Sequence, residues 1–313
     1  MAEPMRGDRM WAVAVAAGLW GTSALLREPL VERLPAPTIV FFEHLVIVAC
    51  LLPWIGSAMV ALARCGRATV LAMLVVGGGS SAVATTLFTA AFAVGDPVTP
   101  QVLQKLQPVF AVVLAMVVLG ERVTPRFAYY AVPALVGTWL LAFADPLSIS
   151  VGDAMAALLA VGAAVLWASG TVLGRFAGLR LSFMHVTAVR FTVALPVTLV
   201  LALGSGASLR IGAGDVVPLI GVALIPGLGA LLVYYWGLSR TAASRATIAE
   251  LTFPFVSALV GVTALGASLS WSQWSGAGVL LVAVTAMTLS RSSSRPSGVI
   301  DPARLTAGVS SPG

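Results

Sequence analysis

The chain has 313 residues, of which 59% are hydrophobic and 10% charged, and its mean hydropathy is +1.00. Soluble domains carry about 25% charged residues, so this composition excludes a water-soluble fold. The net charge of +6 does not indicate nucleic-acid binding, because the arginines are dispersed between apolar runs and form no patch.

Apolar runs of about 20 residues recur along the chain, and each is long enough to cross a hydrocarbon core about 30 Å thick. We therefore predict an all-α integral membrane protein with ten transmembrane helices. Residues 290–313, rich in serine, proline and glycine, are expected to form a disordered cytoplasmic tail. The predicted spans cover 10–26, 38–56, 69–93, 98–119, 126–143, 153–174, 182–203, 214–237, 243–264 and 271–289.

Basic residues near the span ends predict the orientation of the chain in the membrane. The termini and the even-numbered turns collect thirteen arginines, whereas the opposite side has only Arg27, Arg33 and Arg210. We therefore expect both termini to be cytoplasmic and the protein to lie in the plasma membrane.

An internal repeat becomes visible when the chain is shifted by about 146 residues. Residues 105–121 then meet 251–267, and Trp20 falls near Trp167. Each half has five predicted spans, so the second half must lie upside down relative to the first. Inverted repeats of this kind are typical of transporters whose binding site lies near the membrane midplane. The two predicted five-helix repeats cover 10–143 and 152–289.

Four motifs occur in order along the chain: "WGT" at 20–22, "LGE" at 119–121, "GDAMAALLAVGAAVLWASGTVLGR" at 152–175 and "YYWGLSRTAASRATIAELTFPF" at 234–255. With the ten spans and the repeat, they resemble the EamA-type members of the drug/metabolite transporter superfamily. The second half departs from that pattern, since "LGA" at 265–267 lacks the acidic residue of the first half. The resemblance implies a ten-helix secondary carrier of small metabolites, often amino acids or toxic compounds, usually moved outward. It also implies a central cavity lined by spans one, three, four, six, eight and nine.

The function that we expect is export of small metabolites, such as amino acids, related compounds or drugs, by alternating access. An alternative is exchange of anionic or phosphorylated metabolites gripped by Lys105 and Arg190, and a channel or structural membrane protein is a third. An enzyme is not expected, because "WASG" at 167–170 and "SVGD" at 150–153 lack the leading glycine of the intramembrane protease motifs. We expect no cofactor, metal or nucleic acid, but a small-molecule substrate, the lipid bilayer and a possible homodimer.

Ionisable side chains within the spans are candidates for charge pairing or coupling, because a charge at the bilayer centre costs about 2.5–3.5 kcal/mol. From the register of the spans we predict that Glu43 pairs with Lys105 and that Arg190 pairs with Glu250. Glu250 is also the favoured carboxylate for binding a substrate amine or a proton. His44 is a further coupling candidate, although we expect it to be a hydrogen-bonded packing residue.

Polar and aromatic side chains predict where the substrate binds. Gln101 and Gln104 share a helix face bordered by Lys105, and a polar face inside a membrane must point into the bundle. Hydrogen bonding between helices is the competing explanation of these amides. The candidate cavity residues are Trp20, Gln101, Gln104, Lys105, Trp167, Tyr234, Tyr235 and Glu250.

Glycine-rich and proline-containing stretches interrupt the third and eighth spans at matching places. They read "GGGSS" at 77–81 and "PGLGA" at 226–230. Such matched interruptions indicate a transporter site, and they also permit close helix packing. In either case we expect them to act as hinges.

Overall fold

The computed structural model describes residues 9–94, 151–238, 252–266 and 268–292, with Ala249 and individual positions between 100 and 145. Within this part of the chain the regular structure is helical, without a β-strand. In chain order the helices are α1 (Met10–Gly21), α2 (Ser23–Val31), α3 (Ala36–Ala63), α4 (Arg67–Val75), α5 (Ala84–Phe92), α6 (Val151–Gly178), α7 (Phe183–Gly204), α8 (Ala213–Val222), α9 (Ala230–Leu238), α10 (Thr252–Ala264) and α11 (Trp271–Ser292).

Several of these helical stretches are long and apolar enough to cross a membrane. Among the described residues there are five: Ala36–Ala63, Arg67–Phe92, Ala154–Gly178, Phe183–Gly204 and Ala213–Tyr234. They confirm the prediction of an α-helical protein with several membrane-spanning segments. The count of ten stays a prediction, because most of the predicted fourth and fifth spans lies outside the described residues.

The first span is longer than predicted. Helices α1 and α2 follow each other with only Thr22 between them, and α2 ends at Val31 rather than at residue 26. At the interruption the Thr22 hydroxyl donates to the Leu19 carbonyl at 2.8 Å. The extension places Arg27 inside a helix, where the sequence had suggested a turn.

Two π-helical segments interrupt the third and eighth spans. The first, Val76–Val83, joins α4 to α5, and the second, Ala223–Gly229, joins α8 to α9. They fall on the matched glycine- and proline-containing stretches of the sequence. A Cβ added at Gly77 would lie 2.6 Å from the Val193 Cβ, so the glycine lets α7 approach the first segment closely.

Contacts near the helix ends establish the relative directions of the spans. Thr38 donates to the Ser208 carbonyl at 2.9 Å, and Ser57 lies 3.3 Å from the ring of His185 at the other end of α3. Helices α3 and α7 are therefore antiparallel.

The third span, α4 to α5, also runs antiparallel to α6. Arg180, just beyond α6, donates to Thr69 at 3.0 Å, whereas Ala91 packs with Ala160 near the opposite end. Because α2 ends beside α5, the first spans of the two halves run in opposite directions, as an inverted repeat requires.

Candidate functional site

A buried ion pair joins the first, second and third spans. The Arg27 guanidinium donates to both Glu43 carboxylate oxygens, at 2.9 and 2.8 Å. It also donates to the hydroxyls of Ser23 at 3.0 Å and Thr89 at 2.7 Å. Both residues of the pair are only 4% exposed. The two charges thus compensate each other within the bundle, which is how ionisable groups are tolerated in a membrane.

This partner differs from the predicted one. The sequence analysis paired Glu43 with Lys105, but both oxygens of the Glu43 carboxylate accept hydrogen bonds from Arg27. The side chain of Lys105 lies outside the described residues. Arg27 was missed as a partner because the first span was ended at residue 26, and a contact of Glu43 with Lys105 stays a prediction. The apolar pair Leu30 and Val31, beyond the arginine, was the signal that the helix continues.

Arg190 lies against the first π-helical segment. Its Nε donates to the Ser81 hydroxyl at 2.7 Å, and its Cζ lies 5.5 Å from the centre of the Phe191 ring. The predicted partner of Arg190, Glu250, lies outside the described residues, so that pairing stays a prediction.

His44 is packed in the interface between α3 and α7. Its Nδ1 is 2.8 Å from the Val40 carbonyl oxygen, and its ring centre is 5.3 Å from that of Phe191. The side chain is almost completely buried. These contacts are those of the hydrogen-bonded packing residue that we expected, and a role in coupling stays a prediction.

The structure brings some of the predicted aromatic residues together. The rings of Trp20 and Tyr234 lie with their centres 5.1 Å apart. Trp167 instead contacts Phe88, also at 5.1 Å, and Phe88 was not among the candidates. The shift of about 146 residues that reveals the repeat aligns Phe88 with Tyr234, and this was the signal that could have found it. The side chain of Tyr235 lies outside the described residues.

Polar groups lie beside the Trp167 contact. The Gln107 amide donates to the Thr171 hydroxyl at 3.0 Å, and that hydroxyl donates to the Trp167 carbonyl at 3.1 Å. Gln104 is half-buried in a short 3₁₀ turn, Gln104–Leu106. Gln101, predicted beside it, lies outside the described residues.

The described side chains are suited to binding rather than to bond-breaking chemistry. Aromatic rings, an amide and hydroxyl groups can hold an apolar body and its polar edge. Within the described part of the chain, no cluster of three or more His, Cys, Asp or Glu residues is placed to hold a metal ion.

Comparisons with known proteins identify relatives that match most of the chain. The riboflavin transporter ImpX of Fusobacterium nucleatum subsp. nucleatum is 29% identical over 284 residues, which cover 87% of this chain and 94% of the relative. A crystal structure with 18% sequence identity matches the fold with a TM-score of 0.63, covering 92% of this chain and 99% of that chain.

The sequence model of the EamA-like transporter family matches the chain twice, over residues 9–143 and 154–289. These two matches together cover most of the chain, in the order expected of two repeats. The chain is therefore a member of the EamA-like transporter family, a membrane transporter of small molecules and not an enzyme.

Proposed function

We propose that this transporter carries a neutral, planar heteroaromatic metabolite of the riboflavin class by alternating access. The observation that carries the proposal is the presence of two aromatic pairs that join the two halves. The Gln107 amide lies nearby, as does the buried Arg27–Glu43 ion pair, whose opposite charges compensate each other. The relative named as a riboflavin transporter supports the same class of substrate.

The ring system of a flavin matches the aromatic contacts. Offset or edge-to-face aromatic contacts at 4.5–7 Å contribute roughly 0.5–1.5 kcal/mol beyond the burial of area. The Gln107 amide carries both donors and an acceptor, so it can pair with the imide edge of a flavin. Thr171, which holds this amide next to Trp167, supplies a further hydroxyl.

The buried charges favour a neutral substrate over a cationic one. A substrate ammonium that took the place of the Arg27 guanidinium at Glu43 would displace hydrogen bonds to both carboxylate oxygens. Removing one partner of a buried pair costs about 3–5 kcal/mol, so this displacement is unfavourable. A neutral ring with hydrogen-bonding edges leaves the pair intact.

Uptake into proteoliposomes tests the proposal. Purified protein should take up radiolabelled riboflavin with saturation, and excess unlabelled riboflavin or lumiflavin should compete. Trp54, an exposed tryptophan outside the candidate site, gives the control variant Trp54→Leu, which should transport normally. Absence of saturable uptake, in a preparation that is folded by size-exclusion chromatography, would contradict the proposal.

The same assay separates the alternatives left open by the sequence. Stronger competition by amino acids, together with loss of transport in Glu250→Gln, would favour the amino-acid exporter. Preference for phosphorylated riboflavin would favour the anion exchanger that uses Lys105 and Arg190. Flux that neither saturates nor exchanges would indicate a channel. Outward movement remains our expected direction, and uptake measured with and without a pH gradient tests proton coupling.

The topology of the full chain is part of the proposal. We propose ten spans in two inverted repeats, 10–143 and 152–289, with both termini on the arginine-rich, cytoplasmic side and 290–313 as a cytoplasmic tail. Opposite orientations of spans in the described residues support this arrangement. Thiol labelling of single cysteines placed near each terminus tests the orientation, and cross-linking in membranes tests for a homodimer.

A further inference from the structure

The two aromatic pairs are copies of each other under the internal repeat. Trp20 aligns with Trp167, and Phe88 aligns with Tyr234, at a shift of about 146 residues. The Trp20–Tyr234 and Trp167–Phe88 contacts are therefore related by the repeat, and the ring centres are 5.1 Å apart in both. Each pair joins the first span of one half to the third span of the other.

The two aromatic pairs lie at different depths in the bundle, and their positions can be compared along the first span. Tyr234 packs with Val13 in the early part of α1, whereas Phe88 packs with Ala24 in α2. Phe88 also lies 5.9 Å from the Arg27 guanidinium, further along the same span. At 1.5 Å per residue, Ala24 lies about 6 Å beyond Trp20 and about 16 Å beyond Val13 along this span. The Trp167 pair is therefore displaced towards the end of α2, and the Trp20 pair towards the start of α1, as an inverted repeat requires.

Each pair also contains a residue that lies shortly after a π-helical segment in the sequence. Phe88 follows the first segment, which ends at Val83, by five residues, and Tyr234 follows the second, which ends at Gly229, by the same number. Sharp bends in helices commonly occur at such segments, which are frequent at functional sites. A bend at either segment would move the aromatic ring that follows it relative to its tryptophan on the neighbouring span.

We propose that the two pairs are side-specific subsites for the planar ring of the substrate, one used from each side of the membrane. The proposal rests on the proposed function, because its ligand is a planar heteroaromatic compound. Trp20, Tyr234 and Trp167 are only half-buried, so part of each side chain remains accessible. A substrate entering from the side near the start of α1 meets the Trp20 pair first. A substrate entering from the opposite side meets the Trp167 pair first.

Directional transport kinetics test this proposal. The full-length variants Trp20→Leu and Trp167→Leu are compared in right-side-out and inside-out membrane vesicles, by initial rates of riboflavin entry into flavin-free vesicles. Loss of one stacking contact should raise the half-saturating concentration about tenfold. The two variants should show this rise for opposite directions of entry, each with a change of less than about twofold in the other direction.

Three further variants make the result interpretable. Trp20→Phe and Trp167→Phe retain a stacking ring and should restore most of the affinity, which distinguishes stacking from misfolding. Trp54→Leu should leave both directions unchanged. Equal effects of Trp20→Leu and Trp167→Leu on both directions would overturn the side-specific subsites while leaving the proposed function intact. A wild-type chain that moves neither riboflavin nor lumiflavin would overturn both.

Discussion

The buried Arg27–Glu43 pair gives the sharpest test of how the spans are held together. Replacing Arg27 with methionine keeps the length of the side chain but leaves the Glu43 carboxylate without the donor of two hydrogen bonds. It also removes the bonds to Ser23 and Thr89. Removing one residue of a buried ion pair destabilises the folded protein by about 3–5 kcal/mol. We expect a loss of this size in the free energy of unfolding, measured by tryptophan fluorescence as SDS is titrated into detergent micelles.

Two controls decide whether the loss comes from an uncompensated buried charge. Arg33→Met breaks the Arg33–Asp215 pair, in which the N···O distance is 3.1 Å and the two side chains are 48% and 10% exposed. The Asp215 carboxylate keeps a hydrogen bond from the Gly212 N–H at 3.0 Å in this variant. A partly solvated pair contributes about 0–1 kcal/mol, so this variant should be nearly as stable as the wild type. The double variant Arg27→Met with Glu43→Leu removes both charges and should recover most of the stability. A double variant as unstable as the sum of its two single changes would refute this reasoning.

Two other predictions follow from close contacts on α6. A Cβ added at Gly170 would overlap the Ser80 side chain, so Gly170→Ala should destabilise by about 1–3 kcal/mol in the same SDS titration. Gly174, one turn along the same helix, has no atom within 4 Å of its added Cβ, and Gly174→Ala should be neutral or stabilising. Gln107→Leu removes the amide that we propose to pair with the imide edge of the flavin, and it should raise the half-saturating riboflavin concentration about fivefold, as expected for one lost hydrogen bond of about 1 kcal/mol. Unchanged riboflavin kinetics in that variant would remove the amide from the binding site.

Sequence patterns predicted the positions of the helices better than their ends. The apolar run of α3 and the glycines at 77–81 were sufficient to locate a span and its interruption, because both depend on local composition. Arg27 was misplaced because a charge normally marks a turn, and only the tertiary contact with Glu43 makes it compatible with a buried helix. Phe88 was missed for a related reason. A phenylalanine in an apolar run resembles the lipid-facing residues around it unless the repeat is used to align it with Tyr234.

The same repeat explains why ionisable groups lie next to the π-helical segments. A Cβ added at Gly227, in the second segment, would lie 3.6 Å from a Glu43 carboxylate oxygen, and Arg190 donates to Ser81 in the first. Glu43 is on α3 and Arg190 on α7, the second spans of the two halves, so the two arrangements are repeat-related in position although opposite in charge. A π-helical turn disturbs the regular backbone hydrogen bonding, which a polar neighbour stabilises more readily than lipid does. The charged side chains therefore lie beside the segments at which these helices are expected to bend.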